Sequence, residues 1–562
     1  MHRLCVRLLA LCAPAAAAAQ VELPRTHRPA ATAPAITAGD LMTRLYIVAD
    51  DSMQGREAGT PGNVKATAYI AAEIKRAGLV PAGDSGTYFQ TIPLKTRTFD
   101  TTSTFTVAGA PLTAFTDYLP LGPRSLESAS LPIAFGGEVG DSAASITAEQ
   151  ASGKLVVLRV RGALGLRALR TPPSVSGAAA VALVALDSLP PQVVAFLRRP
   201  RTVLDDTPTG RPGQPPAFLI TTATAAKLFA TPLEQLAPGA SGSTAAVAVR
   251  FEVVPVADPA RNVVGIVPGS DPTLKGEYVA IGAHNDHIGV SRVAVDHDSI
   301  RIWNHVVRPE GADDAGKQAT PEQQARVDSL LARFRSAHPR ASRADSIANG
   351  ADDDGSGSVA ALEIAERIAS LKRKPKRSIL FVWHTGEEKG LLGSRYFTDH
   401  PTVPRDSIVA QLNMDMVGRG AASDETGRTK DGTPLHGGPR YLQLVGSRRL
   451  STELGDLVEQ VNAAGRHGLV FDYSIDADGH PANIFCRSDH YEYARYGIPI
   501  TFFTTGLHSD YHQVTDEPEY IDYDHMARVA NLVEEVAVRV ADLDHRVVVD
   551  HPKPDPNAPC RQ

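Results

Sequence analysis

The sequence contains few cysteines, 4 in 562 residues. Two of them, Cys5 and Cys12, lie in the first twenty residues, so the rest of the chain holds only Cys486 and Cys560. Two cysteines can form at most one intrachain disulfide and cannot build a cysteine-rich metal site. The sequence leaves open whether these two pair.

Long apolar runs are also absent, and no segment is long enough to span a bilayer as a helix. The first twenty residues have a basic start, a short apolar core and an alanine-rich end, which is typical of a secretory signal peptide. We therefore expect a periplasmic or extracellular protein with no stable membrane insertion. The formal net charge of −6 gives no reason to expect nucleic acid as a partner, and nothing indicates an oligomeric state.

The order of secondary-structure patterns predicts an α/β fold with a second, β-rich unit. Apolar residues recur at helical spacing from about residue 38 to 93, and short β-like runs separated by Gly, Pro and Ser follow from about 104 to 254. After Ala257 strands alternate with helices, which favours a mostly parallel sheet with helices on both faces. The predicted strands are 262–267, 278–282, 378–383, 408–413 and 498–503, and the clearest helices are 41–49, 63–77, 356–371 and 526–542.

Two polar segments interrupt this alternation. Residues 291–346 contain an amphipathic stretch near 321–337, and residues 420–439 are rich in Gly, Thr and charge. Each is either a lid over a site or a solvated excursion, and the sequence favours neither.

Chemistry-bearing residues follow the predicted strands. The stretch His384-Thr-Gly-Glu-Glu-Lys-Gly sets two adjacent carboxylates, Glu387 and Glu388, at the end of the strand 378–383. Adjacent glutamates repel each other, so a site that keeps both ionised needs positive charge nearby. A metal centre would supply that charge.

Four further segments carry possible metal ligands. They are Ala283-His284-Asn-Asp286-His287, the aspartate run 352–354 before a helix, Asn413-Met-Asp415-Met416, and Gly506-Leu-His508-Ser-Asp510-Tyr511-His512. Taken alone, the first is better explained as a polar loop and the second as a helix cap. Asp415 is harder to dismiss, because burying an unpartnered carboxylate is costly.

The five segments all lie at strand or loop ends of one α/β pattern, where ligands bind in such folds. Together they supply a mixed set of nitrogen and oxygen ligands: His284, Asp353, Glu388, Asp415 and His512. Such a set suits zinc, with one carboxylate left to bridge two ions roughly 3.5–4 Å apart. One glutamate of the pair would bind metal and the other would stay free.

The ordered motifs G-A-H-x-D-H, D-D-D-G-S-G, G-E-E-x-G-L-L-G-S, N-M-D-M and D-Y-H-x-x-x-D resemble the co-catalytic zinc exopeptidases that include the bacterial leucyl-type aminopeptidases. Glutamate carboxypeptidase and glutaminyl cyclase are relatives. The resemblance covers residues 38–110 and 256–545, and residues 111–255 resemble a protease-associated insert. A tail, 546–562, follows.

The resemblance implies a role for each matching residue. It implies that His284 and Asp415 bind one zinc ion, that Glu388 and His512 bind the other, and that Asp353 bridges both. Glu387 matches the general base, Tyr511 the hydroxyl that stabilises the oxyanion, and Asp286 the residue that orients His284. Asp516 is a candidate partner for His512. The 69 residues between His284 and Asp353 are more than many relatives have, which puts any borrowed substrate preference in doubt.

The expected function is hydrolysis of N-terminal residues from peptides by a two-zinc aminopeptidase. A carboxypeptidase or dipeptidase of the same family is the alternative, since the loops offer both carboxylates and basic residues. A single-zinc glutaminyl cyclase conflicts with the complete five-ligand set, and a binding protein would have lost Glu387 or a ligand. No G-x-S-x-G elbow is present to support serine hydrolysis.

Overall fold

The computed structural model describes residues 23–122, 124–140, 145–160, 173–205, 214–314, 316–339, 343–419, 438 and 440–562. The predicted leader, 1–20, lies outside this part of the chain, and so does the segment 420–439 except residue 438. Among the described residues, no helix combines the length and apolarity that crossing a bilayer requires.

A mixed sheet of nine strands forms the centre of the molecule. Its four middle strands are parallel, and strands at both edges are joined to them in antiparallel fashion. In order across the sheet the strands are Val80–Pro81, Ala260–Val267, Ser378–His384, Tyr278–His284, Ile408–Met414, Ile500–Thr504, Tyr441–Val445 and Val470–Asp472, with Phe89–Ile92 paired to Ala260–Val267. The predicted α/β fold class is confirmed, and the five predicted strands differ from the observed ones by at most two residues at either end.

Helices cover both faces of this sheet. On one face, apolar residues of five helices pack against alternate strand residues such as Val279 and Ile281, whereas Ala280 faces the opposite side. The five helices are Ala38–Val48, Pro61–Arg76, Gly357–Ser370, Thr452–Ala464 and Tyr523–Ala541, and the other face carries Leu392–Asp399 and His490–Ala494.

Two of the helices begin three residues earlier than the apolar periodicity predicts. The side chain of Thr37 accepts a hydrogen bond from the backbone N–H of Asp40, and that of Asp522 accepts one from His525. Each cap satisfies a free N–H of the first helical turn, so the helix starts at the cap rather than at the first buried apolar residue.

Eight strands between residues 104 and 249 form a separate sheet with an apolar cluster on each face. Its strands, in order, are Ala110–Pro111, Thr104–Val107, Ser241–Val249, Leu126–Glu138, Leu155–Arg159, Ala180–Val184, Ala217–Ile220 and Tyr118–Leu121. Short helices lie at Ala148–Ala151, Pro191–Leu197 and Thr222–Leu228. The strands 104–107 and 110–111 therefore pair within this sheet, although the sequence boundary was drawn at 110/111.

Two smaller sheets complete the described structure. Strands Arg201–Leu204, Leu94–Phe99 and Phe251–Pro255 form an antiparallel three-stranded sheet. In the segment 291–346, the strand Gly289–Asp296 pairs with Ala344–Ala348, and the helices His297–Val307 and Pro321–Ala337 lie between them. Cys486 and Cys560 form a disulfide that ties the C-terminal tail to the loop before the helix 490–494.

Candidate metal centre

Neighbouring strands of the central sheet bring the five predicted ligands together at one edge. His284 is the last residue of its strand, Asp415 follows the next one, and Glu388 comes four residues after the strand 378–384. The loop after Ile500–Thr504 supplies His512, and the turn before the helix 357–370 supplies Asp353. The parallel arrangement explains this convergence, because the carboxyl ends of parallel strands meet at the same edge.

The first donor set consists of His284, Asp353 and Asp415. Nε2 of His284 lies 3.1 Å from Oδ1 of Asp353 and 3.6 Å from Oδ1 of Asp415. All three residues are buried, and their ligand atoms lie within 4.8 Å of one another.

The second donor set contains His287, Asp353, Glu388 and His512. Nε2 of His512 lies 3.0 Å from Oδ2 of Asp353 and 2.9 Å from Oε2 of Glu388. Nδ1 of His287 lies 2.7 Å from Oε1 of Glu388 and 3.8 Å from Oδ2 of Asp353. Asp353 thus belongs to both sets through its two oxygens. His287 was not among the ligands predicted from the sequence. It could have been recognised as the second histidine of the H-x-D-H motif.

The chemistry of these donors fits metal cations. Nε2 of His284, Nδ1 of His287 and Oε1 of Glu388 are buried and make no hydrogen bond of normal geometry. Buried polar atoms without a hydrogen bond are costly, and convergent imidazole and carboxylate donors of this kind suit zinc. Two dications would also balance the four carboxylates of Asp353, Asp415 and the glutamate pair.

The two adjacent glutamates lie in different electrostatic surroundings. Burial and the neighbouring Asp353 act to raise the pKa of Glu388, but His512 and His287 outweigh them and lower it to about 2. Burial raises the pKa of Glu387 well above its usual value, and Asp415 and Glu388 add to that shift against the opposing effect of His284. Oε2 of Glu387 lies 4.0 Å from Nε2 of His284, beside the donor sets but in neither of them.

The two residues expected to support the histidines make the following contacts. Asp286 lies beside the His284 imidazole, with Nδ1 of His284 3.1 Å from the backbone carbonyl of Asp286 and 3.7 Å from its carboxylate. That carboxylate also accepts the backbone N–H of Glu387. Asp516, expected beside His512, accepts the backbone N–H groups of Asp352 and Asp353. Asp516 also accepts a hydrogen bond from Arg419 at 3.0 Å, whereas Oδ2 of Asp286 is buried without a hydrogen bond.

Arg56 lies beneath the centre and was not singled out by the sequence. It is fully buried and donates to four backbone carbonyls, those of Val48 (3.1 Å), Asn285 (3.1 Å), Gly350 (2.9 Å) and Asn349. Asn285 follows a metal-ligand candidate, and residues 349–350 precede the aspartate run. Arg56 therefore joins the loops that carry the two donor sets.

A cleft of about 460 Å³, including its open mouth, leads to both donor sets. Its lining includes Asp353, Glu387, Asp415, Tyr511 and His512, together with apolar side chains: Met416, Ile475, Ile484, Phe502 and Leu507. The cleft therefore combines ligand-type side chains with an apolar lining.

Arg487 joins the cleft to the segment 291–346. Its guanidinium lies 3.3 Å from the hydroxyl of Tyr511 and binds Asp313 through two contacts of 2.6 and 3.1 Å. The backbone N–H of Ala312 also donates to the carbonyl of Tyr511. Burial, with the nearby carboxylates of Asp353 and Glu388, raises the pKa of Tyr511 well above its usual value, so the hydroxyl keeps its proton.

A third cluster, His297, Asp345 and Glu517, also brings ligand-type side chains together. Arg343 lies 3.3 Å from Glu517 and 3.9 Å from Asp345, and His297 is hydrogen-bonded to Asp345 and Tyr520. Because an arginine already supplies the positive charge, this cluster is an ion-pair network and not a metal site.

The fold and the centre define a class, an α/β protein with a carboxylate- and histidine-lined metal centre at its strand ends. Residues 325–537 match the model of peptidase family M28. This segment holds Asp353, Glu387, Glu388, Asp415 and His512, so the chain is similar to that family over the part that carries these residues.

Curated relatives match shorter stretches. Leucine aminopeptidase 1 of Trichophyton rubrum is 29% identical over 202 residues, which cover 33% of this chain and 47% of the relative. Leupeptin-inactivating enzyme 1 of Streptomyces exfoliatus is 39% identical over 80 residues, 14% of this chain and 18% of the relative. The chain thus spans about half, or less, of the length of these curated relatives.

Among solved structures, an aminopeptidase from Aneurinibacillus sp. strain AM-1 is 17% identical with a TM-score of 0.48, covering 92% of this chain and 97% of that one. A zinc aminopeptidase from Bacillus subtilis is 17% identical with a TM-score of 0.45, covering 90% and 95%.

Proposed function

We propose that the chain is an exported two-zinc aminopeptidase that removes apolar N-terminal residues from peptides. The observation that carries this proposal is the pair of donor sets that share Asp353 beside the unshared carboxylate of Glu387. His284, Asp353 and Asp415 would hold one ion, and Asp353, Glu388 and His512 would hold the other. When bound, such ions lower the pKa of water and polarise a carbonyl group.

Glu387 is proposed as the general base. It belongs to neither donor set. Burial and the neighbouring carboxylates raise its pKa, so it binds a proton more readily than an ordinary glutamate does. Glu387 takes a proton from the attacking water and passes it to the amine that leaves. The hydrogen bond from its backbone N–H to Asp286, 3.2 Å long, fixes the turn that carries it.

Tyr511 is proposed to stabilise the charge that develops on the scissile carbonyl oxygen. Its hydroxyl stays protonated and can donate a hydrogen bond. The phenol ring stacks on His512 with 4.0 Å between ring centroids, and Arg487 contacts the hydroxyl, so the group is held in place before substrate arrives.

The charges in the cleft favour attack at the N-terminus. A carboxypeptidase needs an arginine or lysine for the terminal carboxylate. Among the described residues that line the cleft, the arginine is Arg487, and Asp313 already balances its charge. The apolar lining of the cleft supports a preference for apolar side chains at the cleaved residue.

Export is proposed from the leader-like first twenty residues. The disulfide between Cys486 and Cys560 supports it, because disulfides persist in oxidising compartments.

The proposal is tested with a peptide panel and a metal count. Leucyl peptides with free or acetylated N-termini, each with a free or amidated C-terminus, are assayed before chelation, after chelation and after zinc is restored. We expect cleavage only where the N-terminus is free, loss of activity with chelator, and about two zinc ions per chain. Cleavage of acetylated peptides that requires a free C-terminus would establish the carboxypeptidase alternative. Cyclisation of N-terminal glutamine without hydrolysis would establish the glutaminyl cyclase.

A further inference from the structure

We propose that His287 is a direct ligand of the ion held by Glu388 and His512, so that the two metal positions have unequal ligand sets. This inference rests on the proposed two-metal centre and adds a residue to it. One position would have His284, Asp353 and Asp415, and the other Asp353, Glu388, His512 and His287.

The position of the His287 ring carries the argument. The residue is fully buried, and neither ring nitrogen makes a hydrogen bond of normal geometry. Nδ1 nevertheless lies 2.7 Å from Oε1 of Glu388, and the His287 and His512 rings are 5.5 Å apart at their centroids. The imidazoles of His287 and His512 and the carboxylates of Asp353 and Glu388 thus converge on one point. Because the His287 ring makes no hydrogen bond there, we interpret the four groups as ligands of a common cation.

Backbone contacts position His287 and its ring. Its N–H donates to the carbonyl of Arg56 at 3.3 Å. Gly350, with a φ of +56°, packs against the ring so closely that a Cβ atom there would lie 2.5 Å from Cγ of His287. A larger residue at position 350 would therefore clash with the ring, so the backbone on this side limits where the imidazole can lie.

Unequal ligand sets have a measurable consequence. Four protein ligands fill a zinc coordination shell, whereas three leave a position for water or substrate. The ion beside His287 should therefore be retained more tightly, and the ion beside His284 should be the one removed first by chelator.

A hydrogen bond from His287 to Glu388 is the competing explanation. His287→Asn separates the two, because the asparagine amide keeps an N–H donor close to the position of Nδ1 but is a poor zinc ligand. His297→Asn is the matched control: His297 is equally buried, and its Nδ1 lies 3.0 Å from the carboxylate of Asp345, outside both donor sets.

The experiment counts metal and its ligands in the zinc-loaded proteins. Dialysis against graded chelator is followed by mass-spectrometric zinc determination, and X-ray absorption counts the imidazoles per zinc. We expect three imidazoles per two zinc ions in the parent, and two successive losses of zinc. In His287→Asn the count should fall to two imidazoles per two zinc ions, and the more tightly held ion should require roughly 100-fold less chelator, the upper end of what the loss of a supporting contact costs. The His297→Asn protein should match the parent, and thermal unfolding of the chelated proteins checks folding.

Two imidazoles per two zinc ions in the parent, or unchanged retention in His287→Asn, would overturn the assignment. Either result leaves the proposed function standing as long as the parent binds two zinc ions and hydrolyses peptides. A parent that binds no zinc would instead refute the two-metal centre itself.

Discussion

Replacing Arg56 by lysine should damage both the stability of the peptidase fold and its hold on metal. The guanidinium spans carbonyls from three segments, at Val48, Asn285 and Asn349–Gly350. A single ammonium group cannot reach all of them, so at least two charge-assisted hydrogen bonds are lost. At about 1.5–3 kcal/mol each, the free energy of unfolding should fall by about 3–6 kcal/mol.

The assay combines denaturant unfolding with chelator titration. Unfolding of the chelated protein is followed by tryptophan fluorescence, since Trp383 is fully buried in the central sheet and Trp303 is the only other tryptophan. Zinc retention is measured separately on the loaded protein. In Arg56→Lys the loops that carry His284 and Asp353 lose their common anchor, so zinc should also be released at lower chelator concentration.

Arg377→Lys provides the matched control. Arg377 is equally buried, but it binds Glu277 and the carbonyl of Leu543 at the opposite end of the strand 378–384. This variant should lose stability and keep the parent's zinc retention. If Arg56→Lys retains zinc as firmly as Arg377→Lys does, Arg56 is an ordinary structural arginine and the reasoning is wrong.

Three further changes test the centre itself. Glu387→Gln should keep about two zinc ions while kcat falls about 10²–10⁴-fold, because the base is lost and the ligands are not; parent-like turnover would remove Glu387 from that role. Asp353→Ala should release both ions together, and full retention in a metal count would exclude the bridge. Asp313→Asn frees Arg487 to bind a substrate carboxylate. The kcat/KM for dipeptides with a free C-terminal acid, divided by that for amidated dipeptides, should then rise about five-fold, which corresponds to about 1 kcal/mol. An unchanged ratio would show that Arg487 does not reach the substrate.

The sequence predicted the parts of the centre that depend on strand order. His284, Glu388 and Asp415 each follow an apolar strand, and parallel strands place such residues at one edge of a sheet. Local patterns were sufficient here because strand and ligand are adjacent in the chain.

Contacts between distant loops could not be predicted in the same way. Arg56 bonds to Asn285, 229 positions away, and Asp516 accepts an N–H from Asp352, 164 positions away. Arg56 lies in no pattern that distinguishes it from a surface charge, and the D-Y-H-x-x-x-D motif that contains Asp516 does not indicate which N–H groups its carboxylate accepts. The association of Asp313 with Arg487 likewise depends on how the segment 291–346 folds over the cleft, which residue spacing does not specify.

The glutamate pair shows how differently the surroundings can act on two adjacent carboxylates. Glu387 and Glu388 are identical in chemistry and adjacent in sequence, yet their pKa values move in opposite directions from the same reference. Imidazoles on either side keep Glu388 ionised and suited to bind a cation, whereas burial among carboxylates gives Glu387 the greater affinity for a proton. A metal ligand must keep its charge throughout the reaction, whereas a general base must gain and lose a proton. The lowered pKa of Glu388 therefore suits the proposed ligand, and the raised pKa of Glu387 suits the proposed base.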